Sequence, residues 1–209
     1  MRVRVKICGI TSKEEAWRAV EAGADALGFV FTSSRRQIDP ASAREICTSL
    51  PPMVSRVGVF VNPQAGKVNY LTAECGLDVL QFHGEESPAF LRYFAPRSLV
   101  KAVAIKGPDS LRGAQCYSEH TLLLDTYSPQ QKGGTGKSFP WSMLEKSPPP
   151  SPFILAGGLN PLNIEEALEQ TNPYGVDVSS GVETKGIKDP QKIADFLKKV
   201  RRWETYAAQ

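Results

Sequence analysis

The chain has 209 residues, of which 41% are hydrophobic and 22% are charged. These are ordinary values for a soluble globular protein and leave room for a sizeable core. The 25 basic and 22 acidic residues give a net charge of +3, which is too small to predict a nucleic-acid partner. Such a weak positive charge mildly favours an anionic small-molecule substrate.

The four cysteines, Cys8, Cys47, Cys75 and Cys116, form no CxxC pair and match no zinc-ligand spacing. We therefore expect no metal site and no disulfide framework, and we predict a reducing, cytoplasmic compartment. The first six residues alternate charge with valine, unlike a signal peptide. Because no run of eighteen apolar residues occurs, we expect no membrane span.

Short apolar runs alternate along the chain with amphipathic segments. Each run has the length and the Val, Ile, Leu or Phe content of a strand that is buried on both faces of a parallel sheet. Helical spacing is clearest at residues 13–22, 163–170 and 193–203, and Thr11 or Ser12 is the predicted start of the first helix. The eight predicted strands are residues 3–8, 25–31, 56–61, 78–82, 99–104, 121–125, 152–156 and 175–179.

Eight strand–helix units predict an α/β fold, a closed (β/α)₈ TIM barrel that forms a single domain over residues 1–209. An open doubly wound sheet is the alternative. A recurring G-x-D-x-apolar pattern at Gly23, Gly76 and Gly175 favours the barrel. In each case the glycine is expected just after a helix, with the next strand following at once.

In such barrels the active site lies where the strands end. Cys8 ends the first predicted strand, His83 follows the fourth and Asp125 ends the sixth. As a thiolate, Cys8 can act as a base or a nucleophile, and Asp125 can protonate a leaving oxygen. His83 is either a substrate contact or a histidine that is hydrogen-bonded near a turn. The remaining cysteines fall in helical patterns and are expected to be small buried residues.

Two glycine-rich turns follow the seventh and eighth strands, with Gly157 and Gly158 in one and Ser180 and Gly181 in the other. Loops at these two positions commonly bind phosphate in TIM barrels, because backbone N–H groups can approach an anion closely there. Tight turns that need a positive φ are the alternative. The segment 133–137, GGTGK, lacks the spacing of a P-loop, so we expect either a loop that closes on substrate or a plain turn.

The motifs resemble those of the phosphoribosylanthranilate isomerase family along the whole chain. They include KICGIT at 6–11, GADALGFVF at 23–31, VGVFVN at 57–62, LQFHGEE at 80–86, LLLDT at 122–126, GGTGKSFPW at 133–141, LAGGLNPLN at 155–163 and GVDVSSGVE at 175–183. The resemblance implies a (β/α)₈ barrel that catalyses an Amadori rearrangement in tryptophan biosynthesis without a metal or organic cofactor. The substrate would be an anionic phosphosugar, N-(5-phosphoribosyl)anthranilate.

Carried over from the family, Cys8 is the general base at C2 of the sugar and Asp125 is the general acid at the ring oxygen. The ordinary pKa of cysteine, near ~8.5, requires only a small shift for the first role. Arg36 rather than Arg35 matches the arginine that faces the anthranilate carboxylate. Gly157, Gly158, Ser180 and Gly181 fall in the phosphate loops, and Asp177 assists if it points into the barrel mouth.

Two departures from the family pattern occur, at Ser33–Arg35 and at residues 184–186, where a proline is missing. Two other functions stay open. A histidine-pathway aldose isomerase would be expected to carry an aspartate in place of Cys8, and a non-catalytic phosphosugar-binding barrel would need no Cys8–Asp125 pair. We expect a monomer or a homodimer.

Overall fold

The computed structural model of the chain describes residues 2–126, 140–146, 148–149 and 152–207. The eight main strands are β1 (Arg4–Cys8), β2 (Ala26–Val30), β3 (Ser55–Phe60), β4 (Val79–Phe82), β5 (Ser98–Ile105), β6 (Thr121–Thr126), β7 (Phe153–Leu155) and β8 (Gly175–Val178). Each strand pairs in parallel with the next, and β8 pairs back onto β1, so the sheet closes on itself. The predicted TIM barrel is confirmed, and the open sheet is excluded.

Helices connect the strands on the outside of the barrel. They are α1 (Lys13–Glu21), α2 (Pro40–Ser49), α3 (Ala65–Cys75), α4 (Pro88–Arg92), α5 (Pro108–Gly113), α6 (Ser142–Lys146), α7 (Ile164–Thr171) and α8 (Pro190–Ala207). Ser12 caps α1, because its hydroxyl accepts a hydrogen bond from the Glu15 amide, and the Glu15 carboxylate accepts one from the Thr11 amide. None of these helices is long and apolar enough to cross a membrane.

Side chains alternate between the two faces of each strand, and this alternation separates two apolar regions. Outward-facing residues such as Ile7 and Leu122 pack with Phe196 and the other apolar helix residues in one large core. Inward-facing residues fill the barrel with smaller clusters, one of which contains Ala102 and Leu123. The inside of the barrel is therefore packed, and substrate chemistry is confined to its rims.

Two local expectations are wrong. Gly175 does not follow a helix end, because Asn172, with φ 42°, takes the left-handed position after α7, and Gly175 is already the first residue of β8. Gly76 does behave as predicted, with φ 59° directly after α3.

Cys116 is exposed rather than buried, since it lies in a short 3₁₀ helix on the surface, whereas Cys47 is buried as expected.

A small hairpin after β8 was not predicted. Its strands, β9 (Glu183–Thr184) and β10 (Ile187–Lys188), are joined by Lys185 and Gly186, which both have positive φ values of 52° and 85°. Such a two-residue turn suits the twist of a hairpin. The pairing places Lys188 opposite Glu183, and both side chains are buried.

Candidate active site

Three predicted site residues, Cys8, His83 and Asp125, lie at the carboxyl ends of their strands. Cys8 is the last residue of β1 and clusters with Val30 and Val59 inside the barrel. His83 Nε2 lies 3.2 Å from Asp125 Oδ2, although β5 separates the strands β4 and β6 that lead to these residues. Because Cys8 and Asp125 both lie at the carboxyl ends of parallel strands, the thiol and the carboxyl group occupy the same rim.

The backbone after Cys8 turns sharply at Gly9, where φ is 79°. The amides of Gly9 and Ile10 both donate to the Gly28 carbonyl oxygen, at 2.9 and 3.0 Å. A Cβ on Gly9 would lie 2.4 Å from Cδ of Arg36, so the absence of a side chain also admits the arginine. The predicted turn is confirmed, and it has this second role that the sequence pattern does not indicate.

Burial raises the pKa of the Cys8 thiol, and the negative charge of Asp177 adds to the increase. Lys6 and Lys188 act in the opposite direction but do not cancel the effect of burial. The side chain of Cys8 is buried at the end of its strand, and desolvation disfavours the thiolate. The pKa of Cys8 therefore lies above its ordinary value, and the neighbouring cations limit this increase.

Asp125 is held by contacts on two sides. Its carboxylate faces His83, and a Cβ on Gly157 would lie 2.7 Å from Asp125 Oδ1. Gln81 Nε2 lies 3.2 Å from His83 Nδ1. His83 Nδ1 thus faces the Gln81 amide group, and His83 Nε2 is the ring nitrogen that faces Asp125. The histidine thus fixes the position of the carboxyl group.

Arg36 forms a two-pronged ion pair with Glu183. Its Nε lies 2.6 Å from Oε1 and its Nη2 lies 3.0 Å from Oε2. The hydrogen bonds to Glu183 raise the pKa of Arg36 further above neutrality. Arg35 also reaches Glu183, at 3.1 Å, but 65% of its side chain is exposed, compared with 16% for Arg36. Of the two arginines, Arg36 is the one that the fold holds at the mouth.

Glu183 and Lys188 belong to the site, and sequence reasoning did not select either of them. Lys188 Nζ lies 2.7 Å from Glu183 Oε1 and also donates to the Ser179 carbonyl oxygen at 3.2 Å. The Ser179 hydroxyl in turn donates to the Cys8 carbonyl oxygen. Burial raises the pKa of Glu183, yet the hydrogen bonds from Arg36 and Lys188 outweigh it, and the pKa lies below its ordinary value.

The two glycine-rich turns lie against each other. Gly157 and Gly158 both have positive φ values, 84° and 70°. A Cβ on Gly181 would lie only 1.9 Å from the Leu159 carbonyl oxygen, so the second turn packs directly on the first. Ser180 begins a 3₁₀ helix that ends at Val182. The two turns are therefore in direct contact next to the carboxyl ends of β7 and β8.

Asp177 lies inside the barrel, where its carboxylate is paired with Lys6 at 2.8 Å. The two side chains are 9% and 6% exposed. The side chain of Asp177 points into the barrel, but Asp177 lies level with Lys6 and below Cys8, so an assisting role at the mouth stays a prediction.

The opposite end of the barrel contains a second feature of interest, a cavity whose lining includes Arg4, Lys6 and Asp25. The cavity has a volume of about 470 Å³, and it is lined mainly by residues from the amino ends of the strands, such as Ser55, Ser98 and Thr121. Within the described ranges, no three His, Cys, Asp or Glu side chains converge as metal ligands. The predicted loop at 128–140, including the GGTGK segment, lies outside the described residues apart from Pro140.

Comparison with known proteins gives a consistent result over nearly the whole chain. The family model for N-(5'phosphoribosyl)anthranilate (PRA) isomerase matches residues 5–199. The N-(5'-phosphoribosyl)anthranilate isomerase of Desulforudis audaxviator is 51% identical over 199 residues, which cover 94% of this chain and 97% of the relative.

Solved structures agree with the sequence comparison. The phosphoribosyl anthranilate isomerase of Thermotoga maritima is similar with a TM-score of 0.91 and 43% identity, and the match covers 96% of this chain and 99% of that chain. A phosphoribosyl anthranilate isomerase in complex with reduced 1-(o-carboxyphenylamino)-1-deoxyribulose 5-phosphate is similar with a TM-score of 0.87 and 41% identity, with the same coverage.

Proposed function

The chain belongs to the N-(5'-phosphoribosyl)anthranilate isomerase family, and on that premise we propose how its residues carry out the reaction. The reaction is the Amadori rearrangement of N-(5-phosphoribosyl)anthranilate to 1-(2-carboxyphenylamino)-1-deoxyribulose 5-phosphate, a step of tryptophan biosynthesis. The observation that carries the assignment of roles is the presence of Cys8 and the Asp125–His83 pair on one rim of the barrel.

Asp125 is the general acid of the first step. Its carboxyl group protonates the ring oxygen of the furanose, and the bond between C1 and that oxygen breaks to give a Schiff base at the anthranilate nitrogen. His83 holds the carboxyl group from the end of β4, across the intervening strand β5, at 3.2 Å. A fixed orientation supports rapid proton transfer, because the acid does not have to search for the oxygen.

Cys8 is the general base of the second step. Its thiolate accepts the proton from C2, and the electron pair of the C–H bond forms the C1–C2 double bond of an enolamine. This intermediate then tautomerises to the ketone product. The thiol lies at the carboxyl end of β1, and the turn at Gly9 follows it directly.

Arg36 and the two glycine-rich turns hold the two ends of the substrate. Glu183 occupies the Nε–Nη2 edge of the Arg36 guanidinium, and the Nη1–Nη2 edge can pair with the anthranilate carboxylate. The turns that contain Gly158 and Gly181 supply backbone N–H groups for the phosphate. Anchoring both ends would place C2 and the ring oxygen between base and acid.

The remaining partner assignments stay predictions. We expect a cytoplasmic enzyme that uses no organic cofactor and binds no nucleic acid, as a monomer or a homodimer.

The test is an assay of the purified protein with N-(5-phosphoribosyl)anthranilate. The protein should be produced in a host that lacks its own isomerase, and product should be separated chromatographically from the isomeric substrate. We expect turnover without any added metal or cofactor. A folded protein that binds the substrate but forms no product would favour a phosphosugar-binding barrel instead.

A further inference from the structure

An ion pair inside the barrel has no part in the steps described above. Lys6 Nζ lies 2.8 Å from Asp177 Oδ1, and both side chains are almost completely buried. Taking two charges out of water is costly, and well-packed apolar residues of similar size would often be at least as stable. The barrel interior elsewhere contains such apolar residues, for example Val100 and Ala102. Stability alone therefore does not explain why a buried ion pair is present at this position.

The position of Lys6 relative to the thiol suggests an explanation. Lys6 precedes Cys8 by two residues on β1, so both side chains point into the barrel, with Lys6 one layer deeper. Gly28 on the adjacent strand leaves space that both of them enter. A Cβ at Gly28 would lie 2.8 Å from Cys8 Sγ and 3.1 Å from Lys6 Cε. The end of the Lys6 side chain and the sulfur of Cys8 are thus packed into one confined region.

The charges around the sulfur come from four elements. Lys6 lies below it on β1 and Asp177 on β8, while Arg36 from the loop after β2 and Lys188 from β10 lie at the rim. Arg36 and Lys188 are both bound to Glu183, which neutralises part of their charge. Of the cations that lower the pKa of Cys8, Lys6 has the larger effect and Lys188 the smaller one.

We propose that Lys6 is a positioning residue for catalysis, whose ammonium group, fixed by Asp177, stabilises the thiolate of Cys8 from inside the barrel. This inference rests on the proposed role of Cys8 as the base. Without Lys6, the charged group directly below the buried thiolate would be the Asp177 carboxylate, which disfavours a second negative charge. Asp177 keeps Lys6 protonated in a buried place, since the pKa of Lys6 lies above its ordinary value despite the opposing effect of burial.

The experiment is a titration of the Cys8 thiolate by its ultraviolet absorbance. Each protein is measured with and without the further substitution Cys8→Ala, and the difference isolates Cys8 from the other three cysteines. We expect Lys6→Met to raise the pKa of Cys8 by about one unit, which reduces the thiolate fraction about tenfold at a fixed pH below that pKa. The acidic limb of the pH profile of kcat/KM should move upward with it.

A double variant keeps the test decisive if Lys6→Met alone fails to fold. Lys6→Met with Asp177→Leu removes the whole ion pair and leaves no unpaired buried charge. Because Lys6 affects the pKa of Cys8 more strongly than Asp177 does, this protein should titrate above wild type but below Lys6→Met. Lys101→Met is the matched control, since Lys101 forms a buried pair with Glu86 on another part of the barrel.

An unchanged or lowered pKa of Cys8 in the Lys6 variants would overturn the proposal, and so would an equal shift in Lys101→Met. The proposed function fails in a different way, because then wild-type protein would give no product even though its thiolate titrates as expected.

Discussion

His83 Nε2 lies 3.2 Å from Asp125 Oδ2, and the two residues come from strand ends that are separated by β5. The intervening strand carries the small residues Ala102 and Ala104 at positions that point into the barrel. The imidazole can therefore reach the carboxyl group across the rim. This contact links the histidine to the proposed acid.

We predict that His83→Ala lowers kcat about tenfold with little change in KM, because the histidine orients the acid and does not anchor the substrate. Steady-state kinetics with N-(5-phosphoribosyl)anthranilate measure both constants. His120→Ala is the matched control, since His120 precedes β6 at the amino end of the barrel. A large rise in KM with unchanged kcat would assign His83 to substrate binding instead.

The choice between the two adjacent arginines leads to a second prediction. Arg36→Lys should raise KM about tenfold or more, because lysine cannot reproduce the two-pronged contacts of a guanidinium. Arg35→Lys should leave KM within about twofold, since most of the Arg35 side chain is exposed to solvent. Equal effects of the two substitutions on KM would contradict the assignment of Arg36 to the carboxylate.

Glu183 gives a prediction about stability and pH. Glu183→Gln leaves Arg36 and Lys188 without their carboxylate, and we expect it to lower the free energy of unfolding by about 3 kcal/mol at neutral pH. Because the pKa of Glu183 is lowered in the folded state, its contribution is complete above its unfolded-state pKa and is lost as pH falls through the folded-state value.

Denaturant unfolding of wild type and Glu183→Gln over a series of pH values tests this prediction about stability. The difference in stability between wild type and Glu183→Gln should shrink as the solution is made more acidic below about pH 4.3. A difference that is constant with pH, or that grows in acid, would show that the ion pairs of Glu183 are not its cause.

The contact between the two glycine-rich turns can be tested by adding one methyl group. Gly181→Ala places a Cβ 1.9 Å from the Leu159 carbonyl oxygen, so the turns must move apart. We expect at least a tenfold rise in KM and in the inhibition constant for inorganic phosphate, since misplaced N–H groups lose contact with the phosphate. Gly66→Ala is the control, because nothing lies within 4 Å of its added Cβ on α3. Unchanged phosphate inhibition in Gly181→Ala would remove these turns from the phosphate site.

Much of this architecture follows from local patterns. The eight strands are readable because each is a short apolar run, and the barrel follows from their number and their alternation with helices. Cys8 and Asp125 can be selected because each follows an apolar run at the end where such barrels do their chemistry. These signals depend only on residues that are adjacent in the sequence.

Glu183, Lys188 and Lys6 were missed because their importance depends on contacts between distant segments. The Arg36–Glu183 pair joins residues 147 positions apart, and Lys6–Asp177 joins residues 171 positions apart. Two signals were nevertheless present in the sequence. Lys6 is a charged residue in register with Cys8 in an apolar strand, and Lys185-Gly186 between two short segments is typical of a two-residue hairpin turn.

The central claim is that Cys8 and Asp125 act as base and acid on one bound sugar phosphate. The most direct measurement compares the turnover of Cys8→Ala and Asp125→Ala with wild type and determines the dissociation constant of a reduced product analogue for each protein. We predict that each substitution lowers kcat by at least about 100-fold, as expected for loss of a general acid or base, while analogue affinity changes by less than about tenfold. Wild-type turnover in either variant would contradict the account.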